Sequence, residues 1–183
     1  MCIRDRYTIE KLKEDPIIRA YRDFYWRIGI DPTKQRPSSE ALIRRILRDK
    51  GIPIINNVVD AGNIASIKTA IPIGLYDKDA ITGNLIFRFA EENEVFDPIG
   101  GEKEILKANQ IILADNRGII HVFPHRDSKR TMIKESTKRV LVVACGVPGV
   151  PDNLVLRASD ITVEYIIKMA GGKPLLEGSI LIR

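Results

Sequence analysis

Apolar residues recur at helical spacing just after Asp15. Ile17, Ile18, Tyr21, Phe24, Tyr25 and Ile28 fall on one side of a 3.6-residue repeat, the mark of an amphipathic helix. Asp15 and Pro16 supply a cap and a preset first turn, and Gly29 closes the run. On this reading Tyr21, Phe24, Tyr25 and Trp26 belong mostly to the core. Arg19, Arg22 and Arg27 take the other side, as a solvated face or as the rim of an RNA site. A second helical stretch, Arg36 to Arg45, opens with Pro37 and two serines whose hydroxyls can accept an unpaired backbone N–H, and Gly51 and Pro53 end it. The third stretch, Asn56 to Asn63, differs in kind. With Asn56 as its first residue, Asn56, Asp60 and Asn63 share one face, and that face carries short amides and a carboxylate but no lysine or glutamate. Such a face suits a network tying the helix to a sheet as well as it suits a ligand.

After Asn63 the pattern becomes extended. Ile71 to Asp77, Asn84 to Ala90 with Arg88 among apolar neighbours, and Glu94 to Ile99 read as strands. Ile111 to Ala114 and Gly118 to Phe123 flank an Asp115-Asn116-Arg117-Gly118 turn and read as a hairpin. Val140 to Val147 is almost wholly β-branched and apolar, which predicts a buried strand. A last helix takes Ala158, Ile161, Tyr165, Ile166 and Met169, with Ser159 as its cap, and Leu175 to Ile182 makes an edge strand or a loose end. Helices bracket a run of strands, so the predicted class is α+β, in a single domain over residues 7–183. Residues Met1 to Arg6 fit no periodic pattern, resemble translated adapter sequence and are expected not to be native.

Composition narrows the partners. A length of 183 residues supports a real core, and a net charge of +5 with a pI near 9.2 favours an anionic partner such as RNA. Cys2 and Cys145 lie far apart, and no apolar run approaches bilayer length, so a reduced cytoplasmic chain without a membrane partner is expected. There is no phosphate-cradling glycine loop, dinucleotide fingerprint, HExxH pair or cysteine cluster, so no cofactor is expected. His121 and His125 are the only histidines. Pro124 separates them, and Asp127 and Cys145 are the only further ligand candidates, so no metal site is expected. Ser128 lacks the strand-turn-helix setting of a nucleophile, and its surroundings, Arg126 to Thr131, read as a phosphate-binding loop or a solvated hairpin end.

Taken in order, Arg36 to Arg45, Asn56 to Asn63, Ile71-Pro72-Ile73-Gly74-Leu75-Tyr76-Asp77, Arg88 in its strand, Ile112-Leu113-Ala114-Asp115 and Thr137 resemble the tRNA-binding, editing-type (B-three/four) domain of phenylalanyl-tRNA synthetase β subunits. The resemblance implies a three-layer α+β core with a β-sandwich flanked by helices, and a pocket lined by the Asn/Asp helix and neighbouring strands. In bacterial synthetases that pocket hydrolyses tRNA-Phe wrongly charged with tyrosine. This chain has Gly74 where the bacterial domain has a histidine, and Val143 where it has a glutamate, so no catalytic residue is assigned. Expected substrate contacts are Asn56, Asn57, Asp60, Asn63 and Arg88. Expected RNA contacts are Arg36, Arg44, Arg45, Arg126, Lys129 and Arg130, with the Glu40–Arg44 pair orienting the site. Three readings stay open: a free-standing tRNA-binding protein that deacylates mischarged aminoacyl-tRNA in trans, beside a synthetase or alone; a non-catalytic RNA-binding module; and an amino-acid or other small-molecule binding protein.

Overall fold

The computed structural model describes residues 2–123 and 126–175. The chain divides into two compact units, residues 1–74 with 142–183, and residues 75–141.

The first unit is helical: α1 (Ile3–Arg6), α2 (Pro16–Arg27), α3 (Ser38–Leu47), α4 (Asn57–Thr69) and α5 (Asp152–Ala170). Asp15 caps α2 as its sequence predicts, its carboxylate accepting from the N–H groups of Ile17 and Ile18 at 3.0 and 3.2 Å. The apolar stripes of α2 and α3 meet there. Leu12, Ile18 and Ile43 are fully buried, with Tyr7, Ile67 and Ala70 around them. α1 joins this core: Ile3 packs on it and Arg4 pairs with Asp49 at 2.5 Å, although the segment has no periodicity of its own. α4 buries Ala61, Gly62 and Ala65, side chains small enough for close helix approach, and packs on α5, which buries Ala158 and Thr162. α4 ends on Ala70 in the left-handed region (φ 60°), where the Ser66 hydroxyl donates to the Ile71 carbonyl at 2.8 Å.

Two helix starts differ from the sequence reading. α3 has no side-chain cap: Pro37 precedes it in extended geometry, and the Ser39 hydroxyl is buried with no partner among the described residues instead of capping. α5 begins at Asp152, not near Ser159, because Pro151 is the extended residue that opens it and its carbonyl accepts from the Leu154 N–H. Ser159 is therefore interior to the helix.

The strands are antiparallel wherever their register is defined in the second unit. β1 (Ile73–Asp77) and β8 (Val140–Ala144) pair in a two-stranded ladder, and the division between the units runs through both. Each position of β8 is half-buried, not buried as its composition predicts, because a two-stranded ladder covers only part of its surface. β2 (Ile86–Phe89), β5 (Ile111–Asp115), β6 (Gly118–Val122) and β7 (Arg126–Asp127) form a four-stranded sheet in the order β2-β5-β6-β7, with β3 (Val95–Phe96) and β4 (Glu104–Ile105) as a separate pair. The predicted β5–β6 hairpin is present, with a register shift between Leu113 and Ala114. Phe96, Leu106, Ile112, Ala114, Ile119 and Val122 build the core of this unit. Gly83, beside the hairpin turn, holds φ 74°, the left-handed region that favours glycine, and a Cβ there would also crowd the Asn116 side chain. The whole is α+β, as the sequence predicts. The possible C-terminal strand falls almost entirely on residues 176–183, outside the described residues.

Candidate nucleic-acid interface

α3 carries two chemistries on two faces. Ile43, Leu42, Ile46 and Leu47 turn to the core, while Ala41, Arg44, Arg45 and Arg48, spaced at i, i+3, i+4 and i+7, share the other side. Placing the arginines in the last turns also suits the negative end of the helix dipole. Lys34 and Arg36 from the preceding loop and Lys50 from the following one complete a groove of about 310 Å³. Six cationic side chains line it. Among the described residues, Lys34, Arg45, Arg48 and Lys50 make no ion pair, so they remain free to meet an anion.

The groove is held from beneath by Glu40, which is fully buried. Arg44 Nε donates to its Oε1 at 2.7 Å, and Arg22 Nη1, from α2, donates to Oε1 and Oε2 at 3.0 and 3.2 Å. Arg36 Nε stands 4.0 Å from the same oxygen. One carboxylate thus gathers three guanidiniums. Burying a charge is costly unless it is paired and hydrogen-bonded, so Glu40 persists because the arginines satisfy it, and they in turn lose rotamer freedom. The sequence marked the Glu40–Arg44 pair, but Arg22 joins it from a helix eighteen positions away. Lys34, Arg48 and Lys50 were also missed, although the i+4 spacing of Arg48 from Arg44 was a readable signal.

The remaining expected RNA contacts lie outside the groove, and two of the three are engaged. Arg126 forms a two-pronged pair with Glu104. Arg130 donates to the Asp115 carboxylate at 3.0 and 2.8 Å, and that carboxylate also accepts from the N–H groups of Thr82, Arg117 and Gly118. Burial is the largest influence on Asp115 and raises its pKa, but these hydrogen bonds, Arg130 first, together outweigh it and hold the carboxyl below its usual range. Arg130 therefore anchors the hairpin. Lys129 is exposed. Arg88, expected at a substrate, forms a two-pronged pair with Glu94 at 2.9 and 2.5 Å, and this pairing holds the Glu94 carboxyl below its usual range.

The Asn/Asp helix is also spoken for. Asn56 is the N-cap of α4 and not its first residue, its side-chain oxygen accepting from Val58 and Val59 N–H at 3.1 and 2.9 Å. Asp60 accepts from the Ile55 N–H at 3.0 Å, so both side chains close the helix start. Asn57 is exposed and Asn63 half-buried, so the four do not form a buried network. Gly74 lies in β1 and Val143 in β8, and neither side chain can donate, accept or carry a proton. His121 Nδ1 lies 2.8 Å from Asp127 Oδ1, between the rings of Tyr76 and Phe123, while His125 lies outside the described residues. Among the described residues no group of three or more His, Cys, Asp or Glu side chains is placed to hold a metal ion, and no helix is long and apolar enough to cross a membrane.

Comparison with known proteins places this chain in a family. The β subunit of phenylalanine–tRNA ligase from Aquifex aeolicus is 28% identical over 197 aligned positions, covering 90% of this chain and 25% of the subunit. The same subunit from Tropheryma whipplei is 28% identical over 127, covering 69% and 13%, and that from Mycoplasma genitalium 32% identical over 110, covering 59% and 14%. The chain thus spans a quarter or less of the length of these relatives. Among solved structures, an N-terminal fragment of the phenylalanyl-tRNA synthetase β subunit from Pyrococcus horikoshii superposes with a TM-score of 0.50 at 18% identity, covering 62% of this chain and 40% of the fragment, which is a likeness of fold. The B3/4 domain family matches residues 20–171, and the chain belongs to it.

Proposed function

We propose that this chain binds tRNA, and that α3 and its flanking loops supply the contact surface. The observation that carries the reading is the groove of six cations over one buried glutamate. Fixed guanidiniums beside free lysines suit a run of backbone phosphates, since arginine offers a planar fork and lysine a mobile point charge. The relatives, β subunits of phenylalanine–tRNA ligases, give the anion its class. Hydrolysis is not part of the proposal. Two of the side chains that the editing resemblance offered as substrate contacts, Asn56 and Asp60, are occupied in closing α4, and Gly74 and Val143 bring no reactive group.

The test is the affinity of full-length chain for deacylated tRNA over a salt series, beside an Arg45→Ala/Arg48→Ala variant. Each lost phosphate contact lowers the slope of log K against log salt by about 0.7 to 0.9, so the double variant is expected to lose roughly 1.4 to 1.8 of slope with unchanged helicity. An unchanged slope and affinity refute the groove. The same preparation assayed with tyrosine-charged tRNA-Phe is expected to leave the ester intact.

A further inference from the structure

Trp26 is 57% exposed, and it is the chain's only tryptophan. Helical periodicity predicts it mostly in the core together with Tyr21 and Tyr25, and those two are indeed buried. The core face of α2 stops short of the indole. An indole is among the largest apolar groups a chain can hide, so leaving it in water forgoes stabilisation that most folds would take.

Its neighbourhood gives the reason. Arg22 precedes Trp26 by four residues on α2, so the two side chains are adjacent on the helix surface, with Cβ atoms about 5–6 Å apart. The Arg22 guanidinium bonds to Glu40, the same carboxylate that Arg44 bonds from the groove. The indole therefore stands one helical turn from a guanidinium bonded to the buried carboxylate beneath the groove. A flat apolar ring beside a row of phosphate-seeking cations is the combination by which proteins hold unpaired nucleotides, with bases stacked on the ring and phosphates on the cations. We infer that Trp26 is a stacking platform for an unpaired base, and that the α3 groove takes single-stranded RNA in preference to duplex. The inference rests on the groove being the RNA-contacting surface. Duplex RNA keeps its base faces stacked inward and has no use for such a platform.

Because Trp26 is the sole tryptophan, its emission reports on this position alone. Full-length chain is titrated with a short oligouridylate, with an RNA duplex of equal length, and with inorganic polyphosphate, which carries the charge without bases. The oligouridylate is expected to quench the emission, and Trp26→Ala to weaken its binding on the order of ten-fold while Trp26→Phe retains most of the affinity. Polyphosphate is expected to bind wild type and Trp26→Ala equally. Exposure of the ring means that neither substitution should alter the circular dichroism. Oligouridylate binding without quenching and unchanged in Trp26→Ala overturns the platform while leaving the groove standing. So does a change of oligomeric state in Trp26→Ala with RNA affinity intact, which marks the ring as a protein contact. Failure of every polyanion to bind overturns the groove reading and the platform with it.

Discussion

Glu40→Gln separates two ways in which the groove could work. If the six cations act only through their summed charge, removing a negative charge beneath them strengthens RNA binding. If Glu40 acts by holding Arg22 and Arg44 in place, the same substitution weakens it. The structure supports the second outcome. Glu40 is fully buried, while the Arg22 and Arg44 side chains are only 19% and 15% exposed, so neither guanidinium can replace its carboxylate bonds fully with water. Losing one partner of a buried pair costs about 3–5 kcal/mol. Partial solvation of the arginines and the retained amide oxygen of glutamine lower the expectation for Glu40→Gln to about 2–3 kcal/mol. With a urea m-value of roughly 2 kcal/mol per molar, the helical transition moves by about 1–1.5 M. Far-UV circular dichroism in urea reads the stability, and anisotropy of labelled tRNA in buffer, where the variant remains folded, reads the affinity. Weaker RNA binding despite the gain of positive charge is the expected pair of results. A transition that does not move, together with tighter RNA binding, refutes the positioning role.

Asn56→Ala removes the α4 cap and is expected to cost about 1 kcal/mol in urea unfolding while leaving tRNA affinity unchanged, so a loss of affinity without a loss of stability would return Asn56 to the binding site. In the strand unit, the Asp115 carboxyl titrates below its usual range, so its stabilising effect is fully present above the unfolded carboxylate pKa of about 3.9 and is lost as pH falls through the lower folded value. Acid unfolding of wild type is therefore expected to steepen below about pH 4. Asp115→Asn is expected to lower stability at neutral pH and to flatten that acid limb, and an acid limb of unchanged slope would show that other carboxylates carry it.

What the sequence determined by itself is local. Asp15-Pro16 started α2 and Asp115 to Gly118 turned the hairpin, because these residues act on their own backbone neighbours and need no partner from elsewhere. The α+β class followed from the order of periods, and the i,i+4 spacing of Glu40 and Arg44 already marked them as a pair. Only the tertiary structure decided what each polar group is used for. Arg36, Arg44 and Arg45 line a groove whereas Arg126 and Arg130 do not, since the latter two meet Glu104 and Asp115 within the strand unit. Ser39 and Trp26 reversed their readings, and Glu40 gained Arg22 beyond its predicted partner Arg44, for one reason. A residue's propensity describes its own stretch, but whether it caps, pairs or faces water depends on which distant side chain arrives beside it, and Arg22 reaching Glu40 from another helix is not written in the spacing of either.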